Sequence, residues 1–567
     1  MSKKGKIKEN IKDSHRPPKK IHSRISIYYI VVAIVAFFLY TPSLQYPLDK
    51  LDEDFILQDN IEFLRNKGNL KEVLTRDAFF RKPGESFYRP VQNYSFYLNA
   101  QGKNVGPSSF RLTNLLLHIV ICWLLLCMLS LFNVDPLLSF MFALLYTVHP
   151  LFVQAVIWTP ARGDLLITFF TVLIFIVYLT YKQSNRSVLF VSFLYAVAVF
   201  SKETALLIPA VIFVYEYLHS KDKKQVIRKL FPLMLSLALV ATVFLIVRSK
   251  MVFTGETTKT LGFAVFMYNL KVMPIFLSKF FFPIKLSMMP LYQKEFVFIG
   301  ILLLIVLLYF VVKNRTQEYM NVFIWGFVWF LLFTFPVMIY RHAYYTKAYD
   351  YLETRSYLPM LGVVISLAVF FNTYKNIRRI SIFLAIIAIL FITKTSNYAR
   401  LFKDNETFYG HVLKHNPGCA VAASNMANAF VKKGEYEKGK QYYDQALTYF
   451  PDFPEALNNR ATCRGLLKDY SGAIEDYTLA IKYKNNYADA YKNRGTIKYT
   501  IRDYVGALVD YKKAIIYDPY NKAENYFNRG LGYLQNNKKD SACIDFKQAA
   551  ARGYERATEA LRVFCSK

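Results

Sequence analysis

Between Ser26 and Thr393 the chain keeps returning to apolar runs of roughly fifteen to twenty-four residues, and no other feature restricts its fold as tightly. A helix rises about 1.5 Å per residue, so runs of this length match a hydrocarbon layer about 30 Å thick. They fall at about 26–46, 112–132, 137–157, 164–181, 188–202, 204–219, 231–248, 262–284, 295–313, 321–340, 357–373 and 379–394. Hydrophobic residues make up 54 % of the 567, above the roughly 45–50 % apolar content of soluble chains, so much of the molecule meets lipid.

Charge orients the runs. The formal net charge of +31 would suit nucleic acid in a soluble chain, but in a membrane protein a Lys/Arg excess marks cytoplasmic loops and contacts anionic lipid. Nucleic acid is therefore set aside as a partner, and membrane lipid is expected. Nine cations from Lys3 to Arg24 precede the first run, which lacks an Ala-x-Ala-like cleavage site. Residues 1–25 read as a cytoplasmic basic tail and the run as a retained signal anchor. Counting forward, the basic stretches 181–186 and 221–229 fall inside. The run 261–284 holds Lys271 and Lys279; laid in the outer interface with its lysines snorkelling, it leaves eleven spans and keeps 311–315 and 374–379 inside. The chain after Ile392 then lies outside.

A second pattern takes over at Ala420. LNNRATCRGLLKDYSGAIEDYTLAI (457–481) repeats as YKNRGTIKYTIRDYVGALVDYKKAI (491–515), 34 residues on, with related copies before and after. Small residues at Ala461, Gly495 and Gly530, with Ala473, Ala507 and Ala542, complete a period that resembles tetratricopeptide (TPR) repeats. The chain thus divides into a membrane domain, 26–396 (first outer loop 47–111), a linker, 397–419, and a TPR domain, 420–567, of about four repeats plus a capping helix. Whether Cys543 and Cys565 pair is left open; the six cysteines show no metal-ligand spacing.

Polar residues gather at the outer ends of the expected spans. LDEDFILQDN (51–60) opens the first outer loop with Asp52, Glu53 and Asp54. A carboxylate near hydrocarbon has a raised pKa, which suits a general base. The loop is long enough for short amphipathic helices lying on the membrane surface. Further along stand His149, Arg162 and Asp164, then Lys202 and Glu203, then Arg341, His342, Lys347, Glu353 and Arg355. Cations beside a lipid-level cleft suit a phosphate. Acids and cations on one face are the equipment for moving a group from a lipid-linked donor to an acceptor outside the membrane.

These residues fall in an ordered set of motifs: Asp52-Glu53 with Asn60, Tyr88-Arg89-Pro90, Asn114 to His118, His149-Pro150 with Arg162-Gly163-Asp164, Ser201-Lys202-Glu203, Phe282 to Ser287, and Tyr357-Leu358-Pro359. The set resembles the GT-C glycosyltransferases, specifically the transmembrane-and-TPR protein O-mannosyltransferase family. Gln154 departs from that family's usual Glu, and Thr354-Arg355-Ser356-Tyr357 from its Arg-Tyr run. The resemblance implies an all-α, polytopic GT-C-type bundle and inverting transfer of a sugar, with mannose expected, from a polyprenyl phosphate to Ser or Thr of an extracytoplasmic protein. Asp52 or Glu53 would take the hydroxyl proton. Arg89, His149, Arg162, Asp164, Lys202, Glu203, Arg341, His342 and Arg355 would meet the donor. In the TPR groove, Asn459, Arg460, Asn493, Arg494, Asn528 and Arg529 would read the acceptor. No cofactor or metal is expected, the cations making a divalent ion unnecessary.

Two other readings stand beside this one. The acceptor could instead be an envelope lipid or polysaccharide, or the transferred group a whole oligosaccharide. Alternatively, the chain is a non-catalytic scaffold whose repeats recruit partners for secretion or assembly. Compact length and the lack of a eukaryotic targeting element point to a bacterial inner membrane, with the TPR domain periplasmic.

Overall fold

The computed structural model describes residues 24–78, 80, 87–103, 105–181, 184–251, 259–261, 263–290, 293–314, 319–342, 353–518 and 522–565. The chain forms two compact units, the first built from Met1–Met288, Gln293–His342 and Tyr351–Lys403, the second chiefly from Asp404–Lys567. Among the described residues, both are helical apart from one antiparallel ladder in the first, β1 (Lys259–Leu261) against β2 (Tyr340–His342).

In the first unit, α1 (Arg24–Tyr40) leads into a segment with three short helices, α2 (Ile61–Arg65), α3 (Leu70–Thr75) and α4 (Pro90–Ala100). These do not simply lie on a surface. Leu57, Leu64, Val73 and Phe96 are fully buried together and close a small core of their own against Phe110. Then come α5 (Pro107–Leu131), α6 (Pro136–Thr147), α7 (Val153–Ile157), α8 (Arg162–Tyr181), α9 (Asn185–Ser201), α10 (Ile208–His219) and α11 (Lys223–Met251). After β1 follow α12 (Phe263–Asn269), α13 (Val272–Phe281), α14 (Lys294–Asn314), α15 (Met320–Met338), α16 (Tyr357–Phe371) and α17 (Ile377–Arg400).

Local chemistry explains the breaks. Asp135 caps α6 by accepting from the N–H groups of Leu137 (2.9 Å) and Leu138, with Pro136 preset for the first turn. Pro150 cannot continue that helix, so α6 ends and the chain resumes after a 48° bend. Among the described residues, eight helical segments are long and apolar enough to cross a membrane, nine if the bent pair is one span, where the sequence led us to expect eleven. Segment 263–281 counts among the eight, although it is broken between α12 and α13.

Exposed Phe298, Ile305 and Leu308 on α14, and Leu235 and Leu239 on α11, form apolar surface suited to lipid rather than water. Inside, α15 and α16 meet backbone to backbone. A Cβ on Gly326 would fall 2.5 Å from the Gly362 carbonyl oxygen, and one on Gly362 would fall 2.2 Å from that of Gly326, so only glycine fits.

Ring and side-chain contacts gather helix ends on one face. Tyr28 stacks on Phe140, Tyr29 bonds Cys127, Phe132 meets Tyr215 and Trp325, and Asn372 accepts from the Asp135 N–H. The starts of α1, α6 and α15 and the ends of α5, α10 and α16 therefore share that face.

In the second unit, α18 (Asn405–His415) occupies part of the stretch expected to be a linker. Four helix pairs follow: α19 (Ala420–Lys432) with α20 (Tyr436–Tyr449), α21 (Pro454–Leu466) with α22 (Tyr470–Tyr483), α23 (Ala488–Thr500) with α24 (Tyr504–Tyr517), and α25 (Lys522–Gln535) with α26 (Lys539–Ala550). The short α27 (Glu555–Ala560) caps the stack, and a disulfide joins Cys543 to Cys565 just beyond it. Gly530 is small because a Cβ would lie 2.6 Å from the Phe546 ring.

Candidate active site

The acidic turn separates its two expected catalytic residues. Asp52 is exposed, whereas Glu53 is 1 % exposed. Arg111 Nη2 donates to both Glu53 oxygens, at 3.3 and 3.2 Å, and the Thr159 N–H donates to Oε1 at 3.0 Å. Arg111 also donates to the carbonyls of Ile157 (3.0 Å), Pro47 (3.0 Å) and Tyr46. One buried guanidinium thus ties the end of the first span, the acidic turn and the α7–α8 connection into a hub. Burial pushes the Glu53 pKa up, with Arg111 and Thr159 pulling back, and the net direction is upward. Arg111 was missed in the sequence because an Arg in the first turns of an apolar helix ordinarily snorkels; its partner lies 58 residues away.

Four expected donor residues do come together. Arg89 grips Glu203 through Nε (3.0 Å) and Nη2 (2.7 Å), and Lys202 Nζ meets Asp164 Oδ1 at 2.6 Å. Arg89, Asp164 and Glu203 are partly exposed, Lys202 is buried, and each cation faces a carboxylate. Burial pushes the Glu203 pKa up, but Arg89 and then Lys202 outweigh it and hold the carboxyl at about 2. Burial moves Lys202 down.

Arg162 and His149 are structural, against expectation. Arg162 is 0 % exposed and spends its donors on Asn114 Oδ1 (2.9 Å), Asn99 Oδ1 (2.6 Å), Ser95 Oγ (3.3 Å) and the Phe110 carbonyl (2.5 Å), with Phe96 against its face. His149 lies flat on Phe280 at 4.7 Å. Its Nε2 donates to the Phe280 carbonyl (2.9 Å) and its Nδ1 accepts from the Leu151 N–H. Arg162 thus uses four of its five N–H donors, and a neutral His149 uses its single one.

Lys279 does not snorkel. It is 2 % exposed and meets Glu353 Oε1 at 2.7 Å. Glu353, fully buried, also accepts from the Ser287 N–H (3.2 Å), Gln154 Nε2 (3.0 Å) and the Tyr398 hydroxyl (3.3 Å). This accounts for Gln154: an amide donates to Glu353, where a second carboxylate would repel it. Arg341 and His342 lie in β2, paired with Thr260 and Lys259; Arg355 is half-buried in the turn before α16. Lys347 falls outside the described residues.

In the repeat unit, three expected acceptor residues are already engaged. Arg460, Arg494 and Arg529 each grip the carboxylate sixteen residues on, Asp476 (2.8 and 2.6 Å), Asp510 (2.9 and 2.7 Å) and Asp545 (2.7 and 2.8 Å). They join the two helices of each pair. Their equal spacing was visible in the sequence. Asn459, Asn493 and Asn528 are half-buried.

The class these features define is a polytopic membrane protein carrying a TPR-like helical array. No family model matches the chain. Among curated proteins it is similar to human protein O-mannosyl-transferase TMTC3, 31 % identical over 134 residues, which is 23 % of this chain and 14 % of the relative. It also resembles protein O-mannosyl-transferase F38B6.6 of Caenorhabditis elegans, 25 % identical over 154 residues, 24 % of this chain and 22 % of the relative. The matches therefore span less than a quarter of either relative. Among solved structures, MamA covers 27 % of this chain and 88 % of its own at 22 % identity and a TM-score of 0.25. YrrB, described as "a TPR protein with an unusual peptide-binding site", covers 31 % and 90 % at 20 % identity and a TM-score of 0.26.

Proposed function

We propose that the protein is a GT-C-type glycosyltransferase that moves a sugar, mannose by its likeness to the curated relatives, from a polyprenyl phosphate to Ser or Thr of extracytoplasmic proteins. One observation carries the reading: of two adjacent acids, Glu53 is locked into the Arg111 hub while Asp52, next to it, is exposed. The hub fixes the backbone; Asp52 is the group a substrate can reach. Asp52 takes the acceptor hydroxyl proton, the oxygen attacks the anomeric carbon, and the bond to the lipid phosphate breaks with its electron pair leaving on that phosphate. Arg89, partly exposed, and the buried Lys202 stabilise the departing charge once their carboxylates release them in part.

The membrane passes eleven times, with 263–281 held at the outer face. Supporting this, the helix ends gathered on one face flank the basic stretches 221–229 and 374–379, which the positive-inside rule assigns to the cytoplasm. The Cys543–Cys565 bond suits an oxidising compartment for the repeats, the periplasm if the membrane is the bacterial inner one. There the repeats engage the acceptor.

The test uses purified full-length protein in lipid nanodiscs, with polyprenyl-phosphate mannose and a Ser/Thr peptide. Asp52→Asn is expected to cut turnover by about 10²-fold or more with unchanged thermal stability. Full activity in that variant would remove the catalytic assignment.

A further inference from the structure

We infer that Gln92 is a positioning residue for Lys202, its side-chain oxygen being the acceptor to which the ammonium moves when it leaves Asp164 for a lipid-linked phosphate. The phosphate is that of the reading above, on which this inference rests. Gln92 lies on α4, one turn beyond Arg89, which stands at the start of that helix. It is 2 % exposed, and its Oε1 is buried without a hydrogen-bond partner among the described residues. Such an oxygen is costly to a fold, and it points to a donor that arrives only when the protein is at work.

Gly163 brings that oxygen and Lys202 together. A Cβ there would fall 2.4 Å from Gln92 Oε1 and 3.7 Å from Lys202 Cδ, so the amide and the lysine stem converge on one stretch of backbone. Gly163 has no side chain to stand between them. On either side of it, Arg162 is fixed to Asn114 and Asn99, and Asp164 holds the Lys202 ammonium at 2.6 Å.

The chemistry selects the donor. Amide oxygens and ionised phosphate oxygens both only accept, so Gln92 Oε1 does not serve the phosphate itself. An ammonium carries three N–H groups, and Asp164 takes one of those of Lys202. On Asp164 the lysine's charge is cancelled by a carboxylate. On Gln92 the ammonium is held by a neutral oxygen and keeps its charge for an anion beside it. Lys202 thus has a resting position and a loaded one, and Gln92 defines the second.

The experiment is calorimetric titration of full-length protein in nanodiscs with farnesyl phosphate, a short polyprenyl phosphate without a sugar, and with farnesol to report the tail alone. Gln92→Met removes an oxygen that has no partner, so thermal stability is expected to hold or rise, while farnesyl phosphate binding weakens about tenfold and farnesol binding does not change. Gly163→Ala sets its methyl against Gln92 Oε1, the movable end of a side chain, and meets Lys202 only at ordinary contact. It should fold, push the amide aside and weaken farnesyl phosphate to a similar degree, with no further loss when combined with Gln92→Met. In a background of Lys202→Met with Asp164→Asn, Gln92→Met should have no effect. Unchanged farnesyl phosphate affinity in Gln92→Met and Gly163→Ala, or a loss that persists in the background without Lys202, would overturn the inference. A Lys202-dependent loss in a protein that transfers no sugar would keep the role of Gln92 and remove the transferase reading. Sugar transfer with Gln92-independent affinity would do the reverse.

Discussion

Glu53 and Asp52 show what a residue's neighbours decide. Their adjacency was legible in LDEDFILQDN, but which acid is buried depends on Arg111, 58 residues on. A buried ion pair is costly to break from one side, because the survivor keeps its charge without a partner. Glu53→Gln is therefore expected to lower stability by about 3 kcal/mol, measured by thermal unfolding in detergent, while Asp52→Asn leaves it unchanged. Lys279 and Glu353 obey the same rule: Lys279→Met alone should cost about 3 kcal/mol, and adding Glu353→Gln should restore part of it, since the amide oxygen removes the unpaired charge yet still accepts from the donors around it. The Arg89–Glu203 pair sets a pH dependence. Because the Glu203 pKa is depressed to about 2 in the fold, its contribution is complete above the ordinary carboxylate range near 4.3 and lost as pH falls through 2. Removing Arg89 (Arg89→Leu) should shift the acid limb of a stability–pH profile upward.

At the scale of elements, the repeat period was readable because each pair needs the same small residues at the same crossings. One equivalent position joins the two helices of every pair: Gly434, Lys468, Arg502 and Asn537 all have positive φ, between 56° and 81°. Only the first is glycine, and a side chain in the left-handed region costs about 1 kcal/mol. Lys468→Gly and Arg502→Gly should each raise the repeat unit's stability by up to about 1 kcal/mol in urea titration, the unfolded-state entropy of glycine taking back part of the gain. The membrane elements were less legible. Apolar runs located them, but Pro150 bends one, α10 has only 12 residues, and the 263–281 run is split, so run length overstated their regularity.

For the whole molecule, the Cys543–Cys565 bond offers a direct check. Non-reducing peptide mapping should recover the linked pair, and Cys543→Ser should lower repeat-unit stability by about 3 kcal/mol, as for closing a loop of this size, 22 residues apart. The sequence alone determined a helical membrane domain and a helical repeat array, since apolar run length and a 34-residue period are local properties that backbone hydrogen bonding and small-residue packing translate directly into structure. The tertiary fold alone decided which charges remain available. Arg162, Arg460 and Arg494 looked like ligand groups along the chain and Lys279 like a snorkelling lysine, yet each meets its partner across a helix crossing, because a buried cation must be matched wherever the fold places a carboxylate or carbonyl.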